Sequence, residues 1–152
     1  EAKSGTMTDT TRKAFIRDVM SGKFKPESIM KYDVDELMIF LEDMRKPDGE
    51  YEKLSPEKKE IYKNSLIAAV TGAQTHPSYK GQIEERSRGV MNEMVAKVDP
   101  SYLKGRDASG NALFAVGKDN EIVKPTNRPD EKVFRAPINV DERQRYTDRR
   151  IT

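Results

Sequence analysis

The sequence holds no cysteine, no tryptophan and one histidine, His76. Without thiols there can be no disulfide staple, no thiolate nucleophile and no cysteine-ligated zinc or iron–sulfur centre. One histidine builds a zinc site only where carboxylates complete it. No apolar run approaches the ~18 residues of a membrane-crossing helix. Residues 1–10 are small and polar, unlike the apolar stretch of a secretory leader. The nine glycines are scattered, and none falls in the Gly-x-Gly-x-x-Gly or phosphate-loop spacing that places backbone N–H groups around a phosphate. Nucleotide binding therefore finds no support. The chain opens on Glu1, which suggests an excerpt or a processed form.

An excess of one charge is also missing. Twenty-eight basic residues face 26 acidic ones, a net of +2. The surplus is local: residues 1–98 carry 17 of each sign, residues 99–124 four of each, and residues 125–152 seven basic against five acidic. A polyanion footprint needs a basic stripe on one face, so nucleic-acid binding through the folded part is disfavoured. Hydrophobic residues make up 35% of the chain and charged residues 36%. Ordinary domains carry only about a quarter charged residues. Such a chain buries a modest core under part of its length.

Apolar residues number 34 of 90 over residues 9–98 but 7 of 28 over residues 125–152, which marks a compositional boundary. There is no internal repeat and no low-complexity tract. Asp9 or Thr8 can cap a first helix with Phe15, Ile16, Val19 and Met20 on one face and Gly22 as its stop. Pro26 suits the first position of a short second helix containing Ile29 and Met30. Asp33, with Glu36 three residues on, forms a capping-box pattern for a third helix ended by Pro47. That helix holds Val34, Leu37, Met38, Ile39, Phe40, Leu41 and Met44, more than one stripe, so it should be central. Ser55-Pro56-Glu57 starts a fourth helix that carries Tyr62, Leu66, Ala69, Val70 and Ala73 to about Gly72. A fifth, over 80–98, turns Ile83, Val90, Met91, Met94, Val95 and Val98 inward and Glu84, Glu85, Arg86 and Arg88 largely outward. Gly89 inside it costs about 1 kcal/mol relative to alanine.

After Pro100 the period changes. Residues 112–116 and 121–123, separated by Gly117-Lys118-Asp119-Asn120, read as a β-hairpin. Two strands alone are marginal in water, so the hairpin must lie on the helices or pair with a neighbour. From Pro125 onward no period survives, and Pro125, Pro129 and Pro137 oppose helix. The expected fold is α+β and mainly α. Its parts are a flexible segment over 1–7, a four- to five-helix domain over 8–104, the hairpin over 105–124 and an extended C-terminal arm over 125–152.

Each candidate for chemistry has a plainer explanation. His76, between two helices, lacks a Gly-x-Ser-x-Gly nucleophile elbow and reads as a surface loop residue. Asp33, Asp35 and Glu36 resemble a magnesium cluster, but Asp33 and Glu36 are accounted for by helix-start chemistry. Asp48 belongs to turn chemistry with Gly49, and no calcium-loop spacing includes it or Glu50. No metal or cofactor is expected, and no pair of carboxylates is selected for glycoside hydrolysis. Met20, Met38, Met91 and Met94 read as core filling, while Met30 and Met44, nearer helix ends, read as exposed and free to serve an adaptable groove.

The arm is the most informative segment. Arg143, Arg145, Arg149 and Arg150 interleave with Asp141, Glu142, Tyr146 and Asp148, and apolar side chains recur at Val133, Phe134, Ile138, Val140 and Ile151. Mixed charge with spaced apolar anchors suits a strap laid on another protein. The expected function is that of a non-catalytic structural or adaptor subunit of a larger assembly, a virion component by preference. Phe134, Ile138, Val140 and Tyr146 would anchor it, and Arg149 and Arg150 would pair with partner acids. The expected partners are other protein subunits, in a homo- or hetero-oligomeric setting without a membrane span, and the setting favoured is a virion or a soluble cytoplasmic assembly. The alternatives are a nucleic-acid-associated protein that uses the arginines of the arm, or an accessory subunit of a secretion or organellar complex.

Overall fold

The computed structural model describes residues 2–79 and 81–137. Five helices come first in the chain: α1 (Ala2–Met20), α2 (Pro26–Met30), α3 (Val34–Arg45), α4 (Pro56–Thr75) and α5 (Glu85–Val98). One turn of 3-10 helix (Pro100–Tyr102) leads into four short strands, β1 (Leu103–Arg106), β2 (Ala112–Val116), β3 (Ile122–Val123) and β4 (Val133–Arg135). The protein is mainly α with a small antiparallel sheet, as the periodicities predict. No helix among the described residues is long and apolar enough to cross a membrane.

Helix boundaries follow the local chemistry. Asp33 accepts the Glu36 N–H at 2.9 Å while the Glu36 carboxylate accepts the Asp33 N–H at 3.0 Å, a reciprocal capping box. Ser55 accepts the Lys58 N–H at 3.2 Å, with Pro56 at the first position of α4. Gly22, at φ +81, sits in the left-handed region that stops a helix. Two helix starts differ from expectation. Helix α1 begins at Ala2 rather than at a cap on Thr8 or Asp9, so residues 2–7 of the segment expected to be flexible over 1–7 are helical backbone: no proline interrupts the run. Helix α5 begins at Glu85 rather than near residue 80, after a turn in which the Tyr79 carbonyl accepts the Gln82 and Ile83 N–H groups.

The helical core is aromatic at its centre. Phe15 of α1 stacks on Phe40 of α3 (centroids 3.9 Å apart, planes 12° apart) and meets Phe24, Tyr32 and Tyr62 edge-on. Leu37, Leu41, Leu66, Val70, Val90 and Met94 close around it, all buried. Met44 is also buried, at 1% exposure, which corrects its reading as a surface residue. It stands one turn after Phe40 and Leu41, on the face that packs inward, and proximity to the helix end does not offset that. Helices α2 and α4 touch closely at Gly72, where a Cβ would lie 2.6 Å from the Pro26 ring. Only glycine permits that approach.

In the sheet, β2 is the common partner. Its residues 112–114 pair with β1, residues 115 and 116 with β3, and residues 113–115 with β4, all antiparallel. The hairpin β2–β3 falls where the turn chemistry predicts it. It does not stand alone, because two further strands flank it. Strand β1 lies across a stretch assigned partly to the helical domain; with one apolar residue, Leu103, and a register shift between Leu103 and Gly105, it has no alternation to recognise. Strand β4 lies inside the expected arm. The arm over 125–152 is therefore not separate from the domain throughout: its residues 133–135 belong to the domain's own sheet.

Candidate functional site

Two regions could carry function: the edge of the sheet at β4, and a cleft between the α4–α5 connection and the β2–β3 turn.

At the edge, Phe134 is 9% exposed and pairs across the ladder with Phe114, itself fully buried. The Arg88 guanidinium lies over the Phe134 ring, 4.3 Å from its centroid. Phe134 thus anchors its strand to its own domain rather than to a neighbour, because the period-two alternation of β4 turns it towards Phe114 and α5. Ala136 extends the contact, buried at 1% with its N–H donated to the Ala112 carbonyl at 2.9 Å. The other expected anchors, Ile138, Val140 and Tyr146, and the paired arginines Arg149 and Arg150, lie outside the described residues. Among the described residues β4 pairs on one side only. Val133, flanking Phe134, is 46% exposed, and Arg135 reaches the Asp107 carboxylate at 3.4 Å.

Carboxylates hold the loops that lead to this edge. Glu131 accepts the Lys104 ammonium at 2.6 Å and both the N–H and the hydroxyl of Thr126, at 2.5 and 2.8 Å. These donors, Lys104 first, hold its carboxyl down at about 2, far below the ordinary value of 4.5. Asp107 accepts the N–H groups of Ser109 and Asn111 at 2.9 Å, and the Asn111 backbone and side-chain donors lower its carboxyl as well.

The cleft encloses about 360 Å³ and is lined by Gln74, Gly81, Ile83, Arg88, Lys118, Asp119 and Asn120. Gln74 is buried and fully committed: its amide N–H donates to Asn92 Oδ1 at 2.8 Å and its carbonyl accepts the Ile122 N–H at 2.8 Å. This clamp ties α4 to both α5 and β3. Arg88 is half-buried. One Nη donates to the Asn120 carbonyl, while Nε is buried without an acceptor. Among the described residues no carboxylate forms an ion pair with Arg88. Removal from water pulls its guanidinium below the ordinary value. Helical spacing had placed Arg88 on the solvent face of α5, and Phe134, 46 residues later, covers it. Asn120, at φ 70, gives the turn its left-handed residue, a conformation asparagine tolerates.

The remaining candidates stand apart from these regions. His76 is exposed, stacked on Tyr79 with centroids 4.6 Å apart, and its Nδ1 accepts the Ser78 N–H at 3.0 Å. No acid orients it and no nucleophile contacts it among the described residues. Asp33 and Glu36 are absorbed by their capping box, and no cluster of three or more His, Asp or Glu residues with metal-site geometry occurs among the described residues. Two buried carboxylates carried no sequence signal. Glu93 is clasped by Arg45 at 3.3 Å and by Arg106 through two bonds of 3.2 and 3.3 Å. Asp43 accepts the Glu50 and Tyr51 N–H groups at 2.9 and 3.3 Å. Both serve the fold: each satisfies donors from an adjoining strand or loop.

Comparison of the chain with protein-family models, with curated proteins and with solved structures found no match.

Proposed function

We propose that the protein is a non-catalytic structural or adaptor subunit of a larger assembly, and that it meets a neighbouring protein along the outer edge of β4 and through residues 138–152. The observation that carries the reading is an edge left unpaired among the described residues: β4 offers main-chain donors and acceptors with a half-exposed Val133 beside them, at the point where the chain runs on into a segment rich in arginine and spaced apolar residues. An exposed strand edge is a template for pairing with a second chain, main-chain bonds giving affinity and alternate side chains giving selectivity. Phe134 has no part in the contact except to fix the strand. The anchors are Ile138, Val140 and Tyr146, with Arg149 and Arg150 paired to acids of the neighbour. A virion, whose subunits interlock through terminal extensions, is the setting this reading favours by analogy.

The test compares the full chain, a chain ending at residue 137, and Val133→Lys in the full chain. Circular dichroism and melting should be nearly unchanged in all three. Cross-links to the native assembly partner should fall on residues 133–152 of the full chain, weaken with Val133→Lys and vanish on truncation. Loss of the fold on truncation, or unaltered cross-linking, overturns the proposal.

A further inference from the structure

The cleft beside Arg88 has a composition that the edge of the sheet does not explain. A guanidinium has five N–H donors in a planar fork. Here the Phe134 ring lies against it, 4.3 Å from Cζ to the ring centroid, and one donor is spent on the Asn120 carbonyl. Nε is shielded from water with no acceptor, and among the described residues no carboxylate reaches the guanidinium as an ion pair, Glu85 one turn earlier acting on it only through its longer-range field. A partly desolvated cation without a directly bonded counter-ion is costly, and Arg88 is one. The walls next to it add a second cation, Lys118, and an apolar surface, Ile83. Asp119 supplies the one acidic side chain of the lining. The volume, about 360 Å³, lies in the range of small-ligand sites.

From this geometry we infer that the cleft binds a small oxyanion, a carboxylate or phosphate group on a compact organic body, with Arg88 as its principal partner and Lys118 as the second. The fork of a fixed guanidinium matches the two oxygens of such a group, and charge-assisted bonds of this kind are the strong ones. Ile83 receives the apolar part. Gln74 stays outside the contact, since both of its polar ends are engaged with Asn92 and Ile122. Binding here would also brace the β2–β3 turn against α5, because Arg88 holds the carbonyl of Asn120 at the same time.

The inference is independent of the protein-binding role and is tested on the full chain. Inorganic phosphate, phenyl phosphate and benzoate are titrated while backbone amide shifts are followed by NMR. Saturable shifts should concentrate in residues 81–88 and 117–121. Phenyl phosphate or benzoate should bind more tightly than inorganic phosphate, and which of the two leads separates a phosphate site from a carboxylate site. Lys118→Gln, on an exposed turn, should leave melting unchanged and weaken binding several-fold. Arg88→Lys keeps the charge but loses the fork, and should weaken it by roughly tenfold, the worth of one charge-assisted bond. Shifts that do not saturate, that spread over the surface, or that persist unchanged in both variants overturn the inference.

Discussion

The helical part and the sheet part of this molecule are held together in different ways. In residues 9–98, aromatic and aliphatic side chains fill the space between helices, with Phe15 against Phe40 at the centre. In residues 103–137 the strands span only two to five residues, too few for a long ladder. There the apolar contribution shrinks to Phe114, Val116, Ile122, Phe134 and a few alanines, and side-chain carboxylates and amides take over the satisfaction of backbone donors. Asp107 closes the β1–β2 turn, Glu131 gathers the loop before β4, and Gln74 reaches across from α4 to the Ile122 N–H. Where secondary structure is long, burial sets stability. Where it is short, individual polar groups set geometry.

The largest expected effect is on the helical side. Phe40→Ala removes the stacked partner of Phe15 and should cost about 3–5 kcal/mol in urea unfolding. If the sheet depends on the helices, its amides must lose protection in the same transition; sheet protection outlasting helix loss would break the comparison. Next comes the link between the parts. Gln74→Leu leaves the Ile122 N–H and Asn92 Oδ1 without their partner and should cost about 1–3 kcal/mol. Hydrogen exchange should accelerate first at β3. Gly72→Ala forces a Cβ against Pro26 and should cost a similar amount, about 1–3 kcal/mol, read as a shift in melting temperature.

A finer effect belongs to Glu131. Its carboxyl titrates at about 2 in the folded chain, below its ordinary 4.5, so it binds its proton more weakly when folded. The stability it confers is complete above the unfolded value and is lost as pH falls through the folded one. The stability gap between wild type and Glu131→Gln should therefore be widest near neutral pH and close between about pH 5 and pH 2. A gap that does not change with pH would assign the residue to packing alone. The smallest effect is expected for Lys53→Ala, which breaks an exposed pair with Glu50 three residues away and should leave unfolding unchanged.

The same contrast explains what could be read from the sequence. Caps and stops are local chemistry, so Asp33 with Glu36, Ser55 with Pro56, and Gly22 each marked an element boundary correctly. The β2–β3 hairpin was legible because its turn residues lie between two apolar runs. Strand β4 was not, since three residues beside prolines carry no period and their partner, β2, lies about twenty residues away in the chain. The cleft was illegible for a related reason: Gln74, Arg88 and Asn120 come from three separated segments, and each looks ordinary in its own. Met44 was misjudged because closeness to a helix end was weighed above the face it occupies. Glu93 and Asp43 belong to no motif, and the arginines and loop amides that surround them come from other parts of the chain.

The dependence of β1, β3 and β4 on β2 also bears on how the chain matures during synthesis. Domains take shape from the N-terminus as they are made. The helices, encoded first and resting on contacts among themselves, can settle while translation continues. The hairpin must wait for its last flanking strand, which is complete only when Arg135 has emerged from the ribosome. Until then one side of β2 stands open to any other nascent strand, which makes this the interval in which a chaperone, or a waiting neighbour, would have most to do.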